Sequence, residues 1–350
     1  MTRIITDSLV EKLETEARDR SSRPGITIVG DLNYDYIYRC PPLEQGIEVM
    51  ITDYMKTIAG AAGYVSCGLA TLGAQVYFIT RLGKDDDGNT LLEEIRERRI
   101  STEGVRLIEG EHTPFTLIFA DESEQTPRQV ATYNGLLKDF SVGENDCLPF
   151  IKQSACVYSC NYFIMPRLRE DIPALFRKAK AEGLTTAYDA NAGDGWEEKE
   201  KLQLLQNEIY PATDIIFLNE YEGSCLTGKS EPQEILKNAA PEAKLLVLKL
   251  GNESSFIRSE QGIIKIAAFP LPEPPKDTVG AGDSFQAAFL YFYMKQYPIE
   301  ECGLLAAANS ASTVRYTGGT PGQLTPSGLS KFLKEYSIRW SGTEISISRL

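Results

Sequence analysis

DTVGAGDSFQAAFLYFYMKQ, residues 277–296, decides how the rest of the chain is read. Gly280 and Gly282 sit in a loop that runs into a helix-like segment starting near Ser284. Glycine reaches backbone conformations barred to other residues and lets a ligand come close. At a helix start the N–H groups of residues 280–283 would converge on one spot, where the helix dipole favours negative charge. The loop is therefore a candidate cradle for a phosphate or a developing anion. Asp283 could serve there as a plain N-cap, contributing about 1 kcal/mol. It can also act chemically. A hydroxyl attacking a phosphoryl group loses its proton as the P–O bond forms, and a carboxylate within hydrogen-bond reach can take it. The string fits neither G-x-G-x-x-G nor a P-loop, because no lysine follows its glycines.

Outward from this loop, short apolar runs alternate with helical patterns. ITIVG (26–30), VYFITRLG (76–83), ACVYSC, TTAYDA, IIFLN and LLVLKL read as buried strands. AAGYVSCGLATLG (61–73), LLEEIRERR (91–99) and ALFRKAKAEG (174–183) read as helices, the last stopped by Gly183. This rhythm predicts an α/β fold, a mostly parallel central sheet with helices on both faces. Two stretches, 36–58 and 113–135, look extended with no helix between their halves. They predict a small β-sheet lid that covers a ligand and excludes water, with ADESEQTP as the turn of a hairpin. Residues 5–20 repeat Ile5, Leu9, Leu13 and Ala17 every fourth position and predict an N-terminal helix. The expected division is an extension at 1–24, one domain at 25–340 and a tail at 341–350.

Of the 350 residues, 42% are hydrophobic and 24% charged, with a formal net charge of -13. Such an acidic balance argues against a nucleic-acid groove. No apolar run nears the roughly 20 residues that span a bilayer, and the polar N-terminus does not read as a secretory signal. The chain has seven scattered cysteines and one histidine, His112. That usage predicts reduced thiols, a cytoplasmic location and no Cys/His metal site.

The string DTVGAGDSF, placed after a strand and before a helix, closely resembles the C-terminal signature of the ribokinase-like (PfkB) carbohydrate kinases. The resemblance covers most of residues 25–340, in that family's order. It implies a three-layer α/β/α fold with a β lid, Asp283 as catalytic base, and Gly280, Ala281 and Gly282 as the anion hole. GDLNYDYI (30–37) resembles the family's opening strand, which maps substrate binding onto Asn33 and Asp35, with Asn161 as a further candidate. AGAAGYVSCGLATLGAQVYFITRLGKDDDG (59–88) resembles its first signature, with Gly60 and Gly63 letting the backbone approach the substrate. Tyr64 stands there where the family usually carries Asn. YDANAGDGW supplies Asp189 and Asn191 near the ATP phosphates. IIFLNEYEG supplies Asn219 and Glu222, and Glu222 would order Mg²⁺ through water. LLVLKLGNES adds Lys249 and Gly251, and Thr278 joins them on the nucleotide side.

The resemblance implies ATP and Mg²⁺ and leaves potassium open. It also implies a small sugar-like acceptor and a homodimer formed through the lid. The leading expectation is transfer of the γ-phosphoryl of ATP to a hydroxymethyl group of a sugar or sugar acid. A nucleoside acceptor would need an aromatic slot, for which Tyr34, Tyr36, Tyr64 and Tyr162 are available. A phosphosugar would need a cation among Arg39, Arg81, Lys84 and Arg167. A weakened, ligand-sensing relative is the reading from another class, favoured by Tyr64 and opposed by the intact Asp283 loop. A nicotinamide oxidoreductase is set aside because GDLNYD carries no glycine fingerprint.

Overall fold

The apolar runs line up side by side. The computed structural model describes residues 3–4, 6–18, 23–121, 128–191, 193 and 195–350, and only the backbone at 3, 4, 6, 144–146 and 148. Seven parallel strands succeed one another: Ser101–Ile108, Gln75–Gly83, Gly25–Val29, Cys156–Cys160, Thr185–Asp189, Ile215–Asn219 and Leu245–Leu250. The sheet continues through Ser254–Ser259 and Gly262–Ala267 and reaches twelve strands. Side chains alternate between its faces. Ile28 and Tyr158 enter one core with helices Ala61–Leu72, Ala281–Met294 and Ile299–Thr313. Val29 and Val157 enter a second core with helix Pro166–Ala181. The expected three layers are present.

Chain order reverses between Gly25–Val29 and its neighbour Cys156–Cys160. In open α/β sheets the crevice beyond the carboxyl ends of strands at such a switch point is where ligands bind. Asp31, Asn33 and Asn161 lie just past that point in the sequence.

The two extended stretches form a separate four-stranded sheet in the order Asp53–Ala59, Asn33–Arg39, Phe115–Ala120, Gln129–Tyr133. Phe115–Ala120 and Gln129–Tyr133 pair antiparallel, as a hairpin should. Most of its turn, residues 122–127, lies outside the described residues, as does Ile5.

Other boundaries differ from expectation for identifiable reasons. Helix Asp86–Glu97 starts before residue 91 because the Asp85 carboxylate caps it, accepting from Gly88 N at 2.8 Å. Helix Pro166–Ala181 starts before residue 174, with Pro166 in the first turn, where a missing N–H costs nothing. Residues 344–349 are not a tail. Glu344–Arg349 is a strand of the main sheet, between Gly262–Ala267 and Tyr336–Trp340. The N-terminal helix spans Thr6–Arg18, buries Leu9 and Leu13, and is tied to the domain by Lys12–Glu301 at 2.9 Å. Among the described residues no helix is long and apolar enough to cross a membrane.

Candidate active site

Strand Asn33–Arg39 leaves the switch point and enters the lid, so its alternation splits its residues between two environments. Tyr34 and Tyr36 face away from the crevice, donating to Glu94 (2.9 Å) and Asp87 (2.7 Å). Asn33 and Asp35 take the opposite face. Asp35 accepts from the Tyr64 hydroxyl at 2.7 Å and from Asn33 Nδ2 at 3.3 Å. Burial pushes the Asp35 carboxyl up to about 6, against the hydrogen bonds from Tyr64, Thr116 and Asn33. Tyr64 is only 4% exposed, and burial beside Asp35 holds its phenol well above the usual range.

The start of helix Ala61–Leu72 is already occupied. Asp31 accepts from Ala61 N and Ala62 N, each at 3.0 Å. Gly60 has φ +89°, and a Cβ there would lie 2.7 Å from Asn33 Oδ1 and 2.8 Å from Asp31 Oδ2. Gly63 faces Leu32. At both positions a side chain would meet the chain's own residues, which is one reason for glycine there. Asn161, at φ +65°, is buried, donates its amide to Asp189 O at 3.1 Å and hydrogen-bonds Asp31 through its side chain.

The glycine loop meets its expected conformation, with the helix beginning at Ala281 rather than Ser284. Gly280, at φ +70°, precedes it, and a Cβ there would stand 2.5 Å from Gly319 Cα. The first intrahelical bond runs from Ser284 N to Gly280 O at 2.8 Å, so the amides of Gly282 and Asp283 lie ahead of the ladder. Ala281 N turns back toward Thr278 O at 3.4 Å. Asp283 is partly buried. That burial, with Asp189 and Asp31 nearby, pushes its carboxyl up to about 8 against the pull of Lys249.

Beside the loop opens a cavity of about 530 Å³, lined by Lys249, Gly251, Thr278, Ala281 and Gly282. Its far wall is apolar, including Phe285, Ala307, Ala311 and Val314. Lys249 Nζ bonds Asp189 Oδ2 at 3.0 Å and lies 3.3 Å from where a Cβ on Gly282 would be. Asp189 Oδ1 accepts from Asn191 N at 2.8 Å. Asn219 and Glu222 form a capping box, each side chain accepting from the other's backbone N–H at 2.9 Å. Glu222 is 2% exposed, and burial next to Asp189 pushes its carboxyl up to about 8, with Lys249 opposing.

The structure thus holds a cavity beside the glycine loop and a hydrogen-bonded Asn33–Asp35–Tyr64 cluster, and sequence comparison names the family. A family model described as pfkB family carbohydrate kinase matches residues 23–326. The chain belongs to that family. The kinase is 26% identical over 324 residues to the ribokinase of Arabidopsis thaliana, covering 89% of this chain and 81% of that protein. It is 26% identical over 330 residues to a probable fructokinase-5 of the same plant, covering 91% and 99%. The solved structure of Arabidopsis thaliana ribokinase complexed with ribose and ATP superposes with a TM-score of 0.77 at 23% identity, covering 89% of this chain and 99% of that one.

Several residues of this kinase escape local reading. Gln286 donates to Asp189 and accepts from Tyr158. It lies three residues past Asp283, on the same helix face, and that spacing was the available signal. Asp31 stands where a strand end meets a helix start, a place that favours a carboxylate. Arg128 and Asp277 meet only through the tertiary fold, at 2.7 Å. The aromatic slot does not assemble: Tyr34 and Tyr36 turn away and Tyr162 donates to Lys201 O at 2.6 Å, leaving Tyr64 alone. Among the candidate cations, Lys84 pairs with Glu109 (2.6 Å), Arg167 with Glu170 (3.7 Å), and Arg81 donates to Ser141 O (3.1 Å).

Proposed function

We propose that this carbohydrate kinase moves the γ-phosphoryl of ATP to a hydroxymethyl group of a sugar or sugar acid, with Asp283 as the general base. The observation that carries the reading is the Asp283 carboxyl, raised to about 8 between the cavity and the Asn33–Asp35–Tyr64 cluster. A base is most effective when its pKa lies near the working pH. The acceptor hydroxyl is oriented by Asn33 and Asp35, loses its proton to Asp283, and leaves charge to build on the transferring oxygens. Those oxygens face the helix-start amides of Gly282 and Asp283 and the Lys249 ammonium. The apolar wall with Ala307 and Ala311 suits the adenine ring.

Mg²⁺ fits the residues present. Asp189 and Glu222 are two buried carboxylates with Lys249 as their nearby cation, and burial first, then Asp189, raises the Glu222 carboxyl. Mg²⁺ normally keeps much of its hydration, so Glu222 would order it through water rather than cage it. When bound, the ion neutralises the phosphate oxygens. The missing aromatic slot disfavours a nucleoside acceptor. Incubation with ATP, Mg²⁺ and a panel of sugars, sugar acids and nucleosides tests the reading. Phosphorylated product is expected from the first two classes; a nucleoside as the one productive acceptor would overturn it.

A further inference from the structure

Arg128 immediately precedes lid strand Gln129–Tyr133. Period-two alternation puts it on the face of Thr132, whose hydroxyl meets Thr116 at 3.3 Å beside Asp35. From there it reaches out of the lid, and Arg128 Nη1 stands 2.7 Å from Asp277 Oδ1. Asp277 is 2% exposed. Its Oδ1 also accepts from Val279 N, and its Oδ2 from Gly318 N, both at 2.9 Å. One carboxylate therefore joins three parts: the lid, the turn into Gly280, and the Gly318–Gly319 backbone on which Gly280 packs. Two neutral amides alone would leave a buried charge without its counter-ion, which is costly. Raising the lid would take the guanidinium from Asp277 and weaken its hold on both amides.

We propose that Arg128 is a positioning residue for phosphoryl transfer: paired with Asp277, it sets the 277–283 loop when the lid is down, so that lid closure and the anion cradle form together. This rests on reading Gly280–Gly282 and Asp283 as the transfer site. Arg128 lies outside the cavity that takes the nucleotide, so its loss should spare ATP binding and act on turnover.

Hydrogen exchange provides a test that needs no acceptor. In Arg128→Ala, amides of 276–283 and 316–320 are expected to exchange about tenfold faster, while strands Cys156–Cys160 and Leu245–Leu250 keep their protection. Asp277→Asn should reproduce this, and the double variant should add little to either single change. In steady state, Arg128→Ala should lower kcat by about 10–10²-fold with KM for ATP nearly unchanged. Millimolar methylguanidinium should restore part of that loss, and Arg128→Lys should fall between the two. Unchanged loop exchange, additive single variants, or faster exchange across the whole domain would overturn the proposal. If the parent protein transferred phosphate to no acceptor, the proposed function would fail, and the exchange experiment would still decide whether Arg128 sets the loop.

Discussion

On the side of the crevice proposed to take the nucleotide, the candidate residues sit on one contiguous loop and on the carboxyl ends of neighbouring parallel strands. On the acceptor side they come from a lid strand, a helix in the main domain and a residue in left-handed conformation at the switch point. The first arrangement is fixed by the main sheet: Asn219 and Lys249 are register partners on adjacent parallel strands, and Asp189 ends the next strand opposite Phe217. The second depends on how the four-stranded sheet sits over the domain, through Asn33, Asp35 and Tyr64. Chemistry common to many substrates can be kept on rigid elements while recognition varies on mobile ones. Tyr64 is where this chain departs from the usual family pattern, and it lies on the recognition side.

The largest effect should come from breaking the nucleotide side where it meets the other. Asp283→Asn keeps the shape and removes the proton acceptor. Turnover is expected to fall by about 10²–10⁴-fold, with dissociation constants for ATP and acceptor little changed. Wild-type turnover would remove Asp283 from the chemistry.

A smaller effect is expected on the acceptor side. The Tyr64 hydroxyl occupies one oxygen of Asp35 at 2.7 Å, and its ring fills the space in front of Gly319, where a Cβ would come within 2.4 Å of it. An acceptor must therefore share Asp35 with a phenol. Tyr64→Asn shortens the side chain and is expected to raise kcat/KM for bulkier acceptors about tenfold relative to smaller ones, with KM for ATP unmoved. Equal changes for all acceptors would mean that Tyr64 supports the fold without selecting the substrate.

The same contrast explains what was legible in the sequence. Strands Ile215–Asn219 and Leu245–Leu250 open on the buried apolar runs IIFL and LLVL because both faces are covered, and such runs declare themselves locally. The Gly280–Asp283 loop did so as well, because its conformational demand falls on adjacent residues. The Arg128–Asp277 pair did not: neither residue is unusual where it stands, and only the seating of the lid brings them together. The position of Gly60 was legible, but not the whole of its reason. Beside the room for a substrate that the sequence suggested, the fold adds a demand of its own: a Cβ there would crowd Asn33 and Asp31. Strand Glu344–Arg349 was missed because EISISR is short, half polar and near the sheet's edge.

The smallest effect separates burial from chemistry on the two sides. In the folded chain Asp283 titrates at about 8, against an ordinary value of 3.8. Between those two values the folded state binds the proton that the unfolded state has released, so Asp283 lowers stability progressively as pH rises from about 4 to 8. Asp283→Asn stays neutral throughout. Its Tm should gain on that of the parent progressively across this window, reaching several °C at pH 8, and no further above it. Asp35 is raised only to about 6, so the gain from Asp35→Asn should level off two pH units earlier. Measured by differential scanning calorimetry at each pH, the Asp283 difference should keep growing between pH 6 and 8 while the Asp35 difference has already levelled off. A gain for Asp283→Asn that is flat with pH would mean the carboxyl is ionised throughout and that neither burial nor the neighbouring Asp189 and Asp31 holds its proton.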